Sequence, residues 1–117
     1  MKMKKIVLLC LMACSFSAMS QSYQLQMGIN NFLEKKYDEA IPFFNKELQL
    51  HPKEGQAYYY LAKIHMKKDE NLDGLKKIDL AIANLADKDT VMARAWIAKG
   101  DIFQRFTDTA KFESAYL

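Results

Sequence analysis

The chain has 117 residues, half of them hydrophobic, with 17 Lys+Arg against 14 Asp+Glu, which leaves room for one small domain. Three of the lysines, Lys2, Lys4 and Lys5, precede Ser20, while every acidic residue follows it. The remainder is balanced at 14 against 14 and has no basic excess for neutralising nucleic-acid phosphates. Both cysteines, Cys10 and Cys14, lie in the same leading stretch, so the rest of the chain has no disulfide and no thiol chemistry.

That leading stretch, MKMKKIVLLCLMACSFSAMSQS, puts basic residues before an apolar run from Ile6 to Ala13. The small-residue pattern Ala18-Met19-Ser20 follows, the three-part layout of a secretory signal peptide cleaved after Ser20. The run is too short for a membrane span, which needs roughly 20 apolar residues. LMAC, Leu11 to Cys14, also resembles the lipobox of bacterial lipoproteins, although Met12 is unusual there. The expectation is therefore residues 1–20 as a signal peptide and export to a bacterial periplasm or envelope. Membrane attachment would arise only through lipidation at Cys14.

Beyond Gln21 the chain is rich in Leu, Ala, Lys, Glu, Gln and Met, with few β-branched residues, and reads as helix throughout. Pro42 interrupts the amphipathic run LEKKYDEAIPFFNKELQLHP, where a mid-helix proline costs about 3 kcal/mol. If one helix ends near Lys35 and another begins around Asp38, Pro42 sits close to a first turn, where the lost N–H matters little.

Shifting the sequence by 34 residues aligns like with like: Met27-Gly28 with Leu61-Ala62, Phe32 with Met66, Ala40 with Gly74, Phe44 with Ile78, and Leu48 with Ile82. A third copy begins at AWIAKGDIF, where Gly100 matches Gly28 and Ala62 after a four-residue insertion near ADKDT. The small residues predict close helix approach: Gly28, Ala62 and Gly100 face the second helix of their own unit, and Ala40 and Gly74 face back. Leu at Ala62 or Gly100 is then expected to overpack.

On these residues the chain resembles tetratricopeptide repeat proteins, whose unit is a pair of antiparallel helices. Unit 21–54 matches at Met27, Gly28, Tyr37, Ala40, Phe44 and Pro52, and departs at Gln24, Asn31 and Glu47. Unit 55–92 matches at Tyr58, Leu61, Ala62, Gly74, Ile78 and Ala81, with His65 a poor fit. The incomplete unit 93–117 matches at Trp96, Gly100 and Phe103, with Lys99 a misfit. The resemblance implies an all-α, short right-handed solenoid that binds proteins or peptides without a cofactor. A generic helical bundle is the alternative.

In the triplet Tyr58-Tyr59-Tyr60, helical phase directs Tyr58 to the core. Tyr59 and Tyr60, with Lys63 and Met66, then face the concave side on which the family binds extended peptides, and Ile97 and Asp101 are their third-unit equivalents. These six either line a peptide groove or pad neighbouring helices. A carboxylate-gripping subset of the family uses Lys, Asn and Arg at places where this chain has Leu25, Ile29, Tyr60, Arg94 and Ala98. Only Arg94 keeps that chemistry.

DENLDG, Asp69 to Gly74, resembles the start of a calcium loop, but the twelfth place holds Leu80 and not a bidentate Glu. His51 and His65 have no Cys or His at ligand spacing, so no metal is expected. No catalytic triad or phosphate loop is present, and the domain reads as non-enzymatic, with no small-molecule substrate evident.

The final TDTAKFESAYL reads as a turn and the start of another second helix, since KFESA resembles Lys36 to Ala40. On that reading Trp96, Phe103 and Phe106 lack a covering helix, because the chain is a fragment or because a second molecule covers them. Two functions follow: an exported interaction or assembly scaffold, or the non-catalytic front of a larger envelope enzyme.

Overall fold

A computed structural model describes the backbone of residues 22–87 and 89–116 and the side chains among these up to residue 110. The expected signal peptide, with Cys10 and Cys14, lies outside the described residues. The fold is all-α: α1 Tyr23–Leu33, α2 Tyr37–Leu50, α3 Gly55–Lys67, α4 Asn71–Asn84 and α5 Thr90–Tyr116. Each helix packs on the next along the chain, and α3 also touches α1 and α5.

The 34-residue period is present in the backbone itself. Tyr37 and Asn71 open α2 and α4, and Leu50 and Asn84 close them, each pair 34 residues apart. The turns before these helices repeat as well. Lys35 and Asp69 adopt left-handed φ values of 62° and 58°. Lys36 N–H donates to the Asn31 carbonyl and Lys35 N–H to that of Phe32. Glu70 and Asp69 do the same to His65 and Met66. Both turns are therefore Schellman closures, which satisfy carbonyls that a helix end leaves free.

Pro42 is the sixth residue of α2, one turn deeper than a first-turn proline. Its missing N–H leaves the Asp38 carbonyl without its helical donor. Both residues are exposed, so water can take that place, and the helix runs on to Leu50. The insertion near ADKDT is the connection after α4, where Asp89 Oδ1 accepts from Val91 N–H at 2.9 Å and caps α5. Helix α5, the first of the third unit, thus begins at Thr90, three residues ahead of the expected boundary at 93. DENLDG is not an open loop, because α4 begins at Asn71 and takes Asp73 and Gly74 into its first turn.

The largest departure from expectation is α5, which continues as one helix through TDTAKFESAYL to Tyr116. No turn precedes Lys111. Thr107 and Thr109 return their hydroxyls to the carbonyls of Phe103 and Arg105, and Gln104 bonds Asp108. These polar groups are satisfied inside the helix, so they do not end it.

Two apolar clusters share α3. One joins Leu25, Ala40, Phe44, Ala57, Leu61 and Ile64. The other joins Tyr59, Ala62, Met66, Ile78, Ala81, Val91, Ala95, Ala98 and Ile102. Most of α3 is therefore buried, from Gly55 to Met66. The small residues differ in what they do. A Cβ on Gly28 would lie 2.7 Å from the Phe44 ring, so glycine is needed there. Ala62, Ala40 and Ala81 are fully buried. At Gly74 a Cβ would make ordinary contacts at 3.5 Å, and at Gly100 it would meet nothing within 4 Å. The expected overpacking at Gly100 is thus corrected: no helix among the described residues covers it.

Candidate functional site

The three consecutive tyrosines turn about 100° apart on α3, and the structure reverses the expected roles of the first two. Tyr59 is buried against α5, whereas Tyr58 is half-buried and donates its hydroxyl to the Pro52 carbonyl at 3.0 Å. Tyr60 stacks on Phe44 with ring centroids 5.5 Å apart and meets Phe32 edge-on at 5.0 Å. It thereby touches both clusters. Burial raises the Tyr59 phenol above its usual value, adjacent Tyr60 adds to the rise, and Arg94 opposes it.

The six candidate groove residues accordingly divide. Tyr59 and Met66 are in the core and have no free surface for a peptide. Tyr60 and Lys63 are half-buried. Ile97 and Asp101 are exposed on α5, as is Arg94. The physical reason is that α5 lies on the face of α3 that was expected to be open.

The open apolar surface is on another side of α5. Trp96 and Phe103 are 54% and 50% exposed, and Gly100 lies between them along the helix. Helical spacing of four and three residues puts the three on one face. Lys99 runs beside this stripe: its ammonium lies 5.4 Å from the Trp96 ring centroid and 6.0 Å from that of Phe103. It also pairs with Asp79 Oδ1 at 2.7 Å, which anchors α4 to the edge of the stripe. Lys99 counted only as a misfit in the repeat pattern. Its place at i+3 from Trp96 and i−4 from Phe103 was the available signal.

The equivalent faces of α1 and α3 are covered. Phe44 of α2 seats over Gly28, and α4 lies on Ala62, with Gly74 facing its carbonyl. The Trp96–Gly100–Phe103 face therefore has the same pattern of a small residue between large ones, but no helix among the described residues lies upon it. No helix among the described residues is long and apolar enough to cross a membrane. Neither a protein-family model nor a curated protein matches this sequence.

Proposed function

We propose that this chain is a protein-binding scaffold of tetratricopeptide-like solenoid type, and that α5 receives an amphipathic helix from a partner protein. The observation that carries the reading is the uncovered Trp96–Gly100–Phe103 face beside two covered counterparts. Those counterparts supply a template for the partner. It is a helix with a large apolar side chain to seat over Gly100, as Phe44 seats over Gly28, and small residues one turn away, as Ala40 stands to Phe44. Exposed aromatics of this size contribute strongly when a partner desolvates them. Helix-in-groove recognition needs no exposed sheet edge and no extended peptide channel. The leader-like residues 1–20 support an exported chain that meets its partner in the bacterial envelope.

Trp96 is the only tryptophan, so its emission reports directly on this face. A photo-crosslinking residue at position 103, incorporated in cells, is expected to capture one discrete protein through a helical segment. The same residue at Leu33, exposed on α1, should not. Trp96→Ala is expected to abolish the capture without unfolding the domain. Capture that is equal from positions 33 and 103, or unaffected by Trp96→Ala, would overturn the assignment.

A further inference from the structure

The turn between α3 and α4 brings together three metal-ligating side chains that no spacing rule connects. His65 is in the last turn of α3, Glu70 is the residue before α4, and Asp73 is in the first turn of α4. One ligand atom from each lies within 4.8 Å of the others. His65 Nδ1 is buried and has no hydrogen-bond partner, and Glu70 Oε1 is 3.6 Å away, beyond hydrogen-bond reach. A buried imidazole nitrogen without a partner is costly unless something occupies it.

We infer that His65, Glu70 and Asp73 form a binding site for a divalent first-row transition ion, with zinc the best fit. One imidazole and two carboxylates suit Zn²⁺, whose bonds to nitrogen and oxygen are about 2.0–2.2 Å. Tetrahedral bonds of that length place ligand atoms about 3.3 Å apart, so the present cluster must contract slightly. Glu70 and Asp73 are exposed and can swing inward. The backbone that carries His65 is held, because its carbonyl accepts from the N–H groups of Lys68 and Glu70 at 3.1 and 2.9 Å. The two carboxylates neutralise the ion. An imidazole ligand discriminates against calcium and magnesium, which prefer all-oxygen sets.

Access is open. Glu70 and Asp73 line a shallow hollow of about 600 Å³ that runs to Phe106 and Thr109 of α5. The hollow leaves space for water to complete the coordination. The ion would clamp the end of α3 to the start of α4, so binding should stabilise the folded chain.

The test uses the full chain with Cys10→Ser and Cys14→Ser, because free thiols also bind zinc. Calorimetric titration with Zn²⁺ and the visible absorption of Co²⁺ should both give one ion per chain. Glu70→Gln and Asp73→Asn, each at an exposed carboxylate, should weaken zinc by at least ~10-fold and remove the zinc-induced rise in melting temperature. His51→Asn should change neither readout. No saturable binding up to about 1 mM Zn²⁺ would overturn the site, since weaker binding lies outside structural zinc behaviour. Unchanged binding in both carboxylate variants would also overturn it. So would equal affinity for Ca²⁺, because that would exclude the imidazole as a ligand.

Discussion

Arg105 Nη1 donates to the Met66 carbonyl at 2.6 Å and ties the middle of α5 to the end of α3 across 39 residues of sequence. The same nitrogen lies 3.4 Å from Asn71 Oδ1 and 3.6 Å from Asp69 Oδ1. Met66 O already accepts from Asp69 N–H within the turn, so the charged side chain adds a second donor from outside the helix. Arg105→Ala should lower unfolding stability by about 1–3 kcal/mol in urea titrations, the range for hydrogen bonds to charged groups. Arg105→Lys should recover only part, since an ammonium lacks the planar fork.

Gly28 and Gly100 hold the same place in the repeat and should respond in opposite ways to alanine. At Gly28 the new methyl meets the Phe44 ring at 2.7 Å, and overpacking of about 1–3 kcal/mol outweighs the gain of about 1 kcal/mol in helix propensity. At Gly100 nothing lies within 4 Å, so the gain of about 1 kcal/mol stands alone. Thermal melts of the two variants should therefore move down and up. A downward shift at Gly100 would show that something packs there.

Lys35 and Asp69 carry side chains at left-handed φ. That conformation costs about 1–2 kcal/mol for an L-residue, partly offset when glycine frees the unfolded chain. Lys35→Gly should stabilise by roughly 0.5–1 kcal/mol. Asp69→Gly should gain less, because Asp tolerates this region better and faces Arg105.

Tyr59 gives a signature at alkaline pH. Its pKa lies above the usual 10.0 in the folded chain, chiefly through burial. The unfolded tyrosine therefore loses its proton first, and the folded state binds more protons above pH 10. Its contribution is constant below pH 10 and turns destabilising as pH rises through the folded pKa. Tyr59→Phe should flatten the fall in melting temperature above pH 10. A fall as steep as in the parent chain would place its origin elsewhere.

The helical class and the 34-residue phase were legible in the sequence because helix-forming residues dominate beyond Gln21 and small residues such as Gly28, Ala40 and Ala62 mark close helix packing. The side that each tyrosine presents was not. Periodicity defines a helix's apolar face for one neighbour, whereas α3 has neighbours on several sides, so Tyr59 turned inward. TDTAKFESAYL has turn-like composition but neither glycine nor proline, and its Thr and Asp side chains bond within the helix. His65, Glu70 and Asp73 were invisible as a group because their proximity depends on the left-handed turn at Asp69.

Tyr60 belongs to two clusters at once, packed on Phe44 on one side and on Tyr59 on the other. A chain of stacked helix pairs can in principle melt one pair at a time, since each pair leans only on its neighbours. A ring shared between the clusters couples their melting. Loss of α1 and α2 would strip Tyr60 of Phe32 and Phe44 and loosen the packing against α4 and α5. Amide hydrogens of α3 should therefore exchange at the rate of global unfolding. In Tyr60→Ala the two ends should exchange independently, and the single cooperative transition should separate into two.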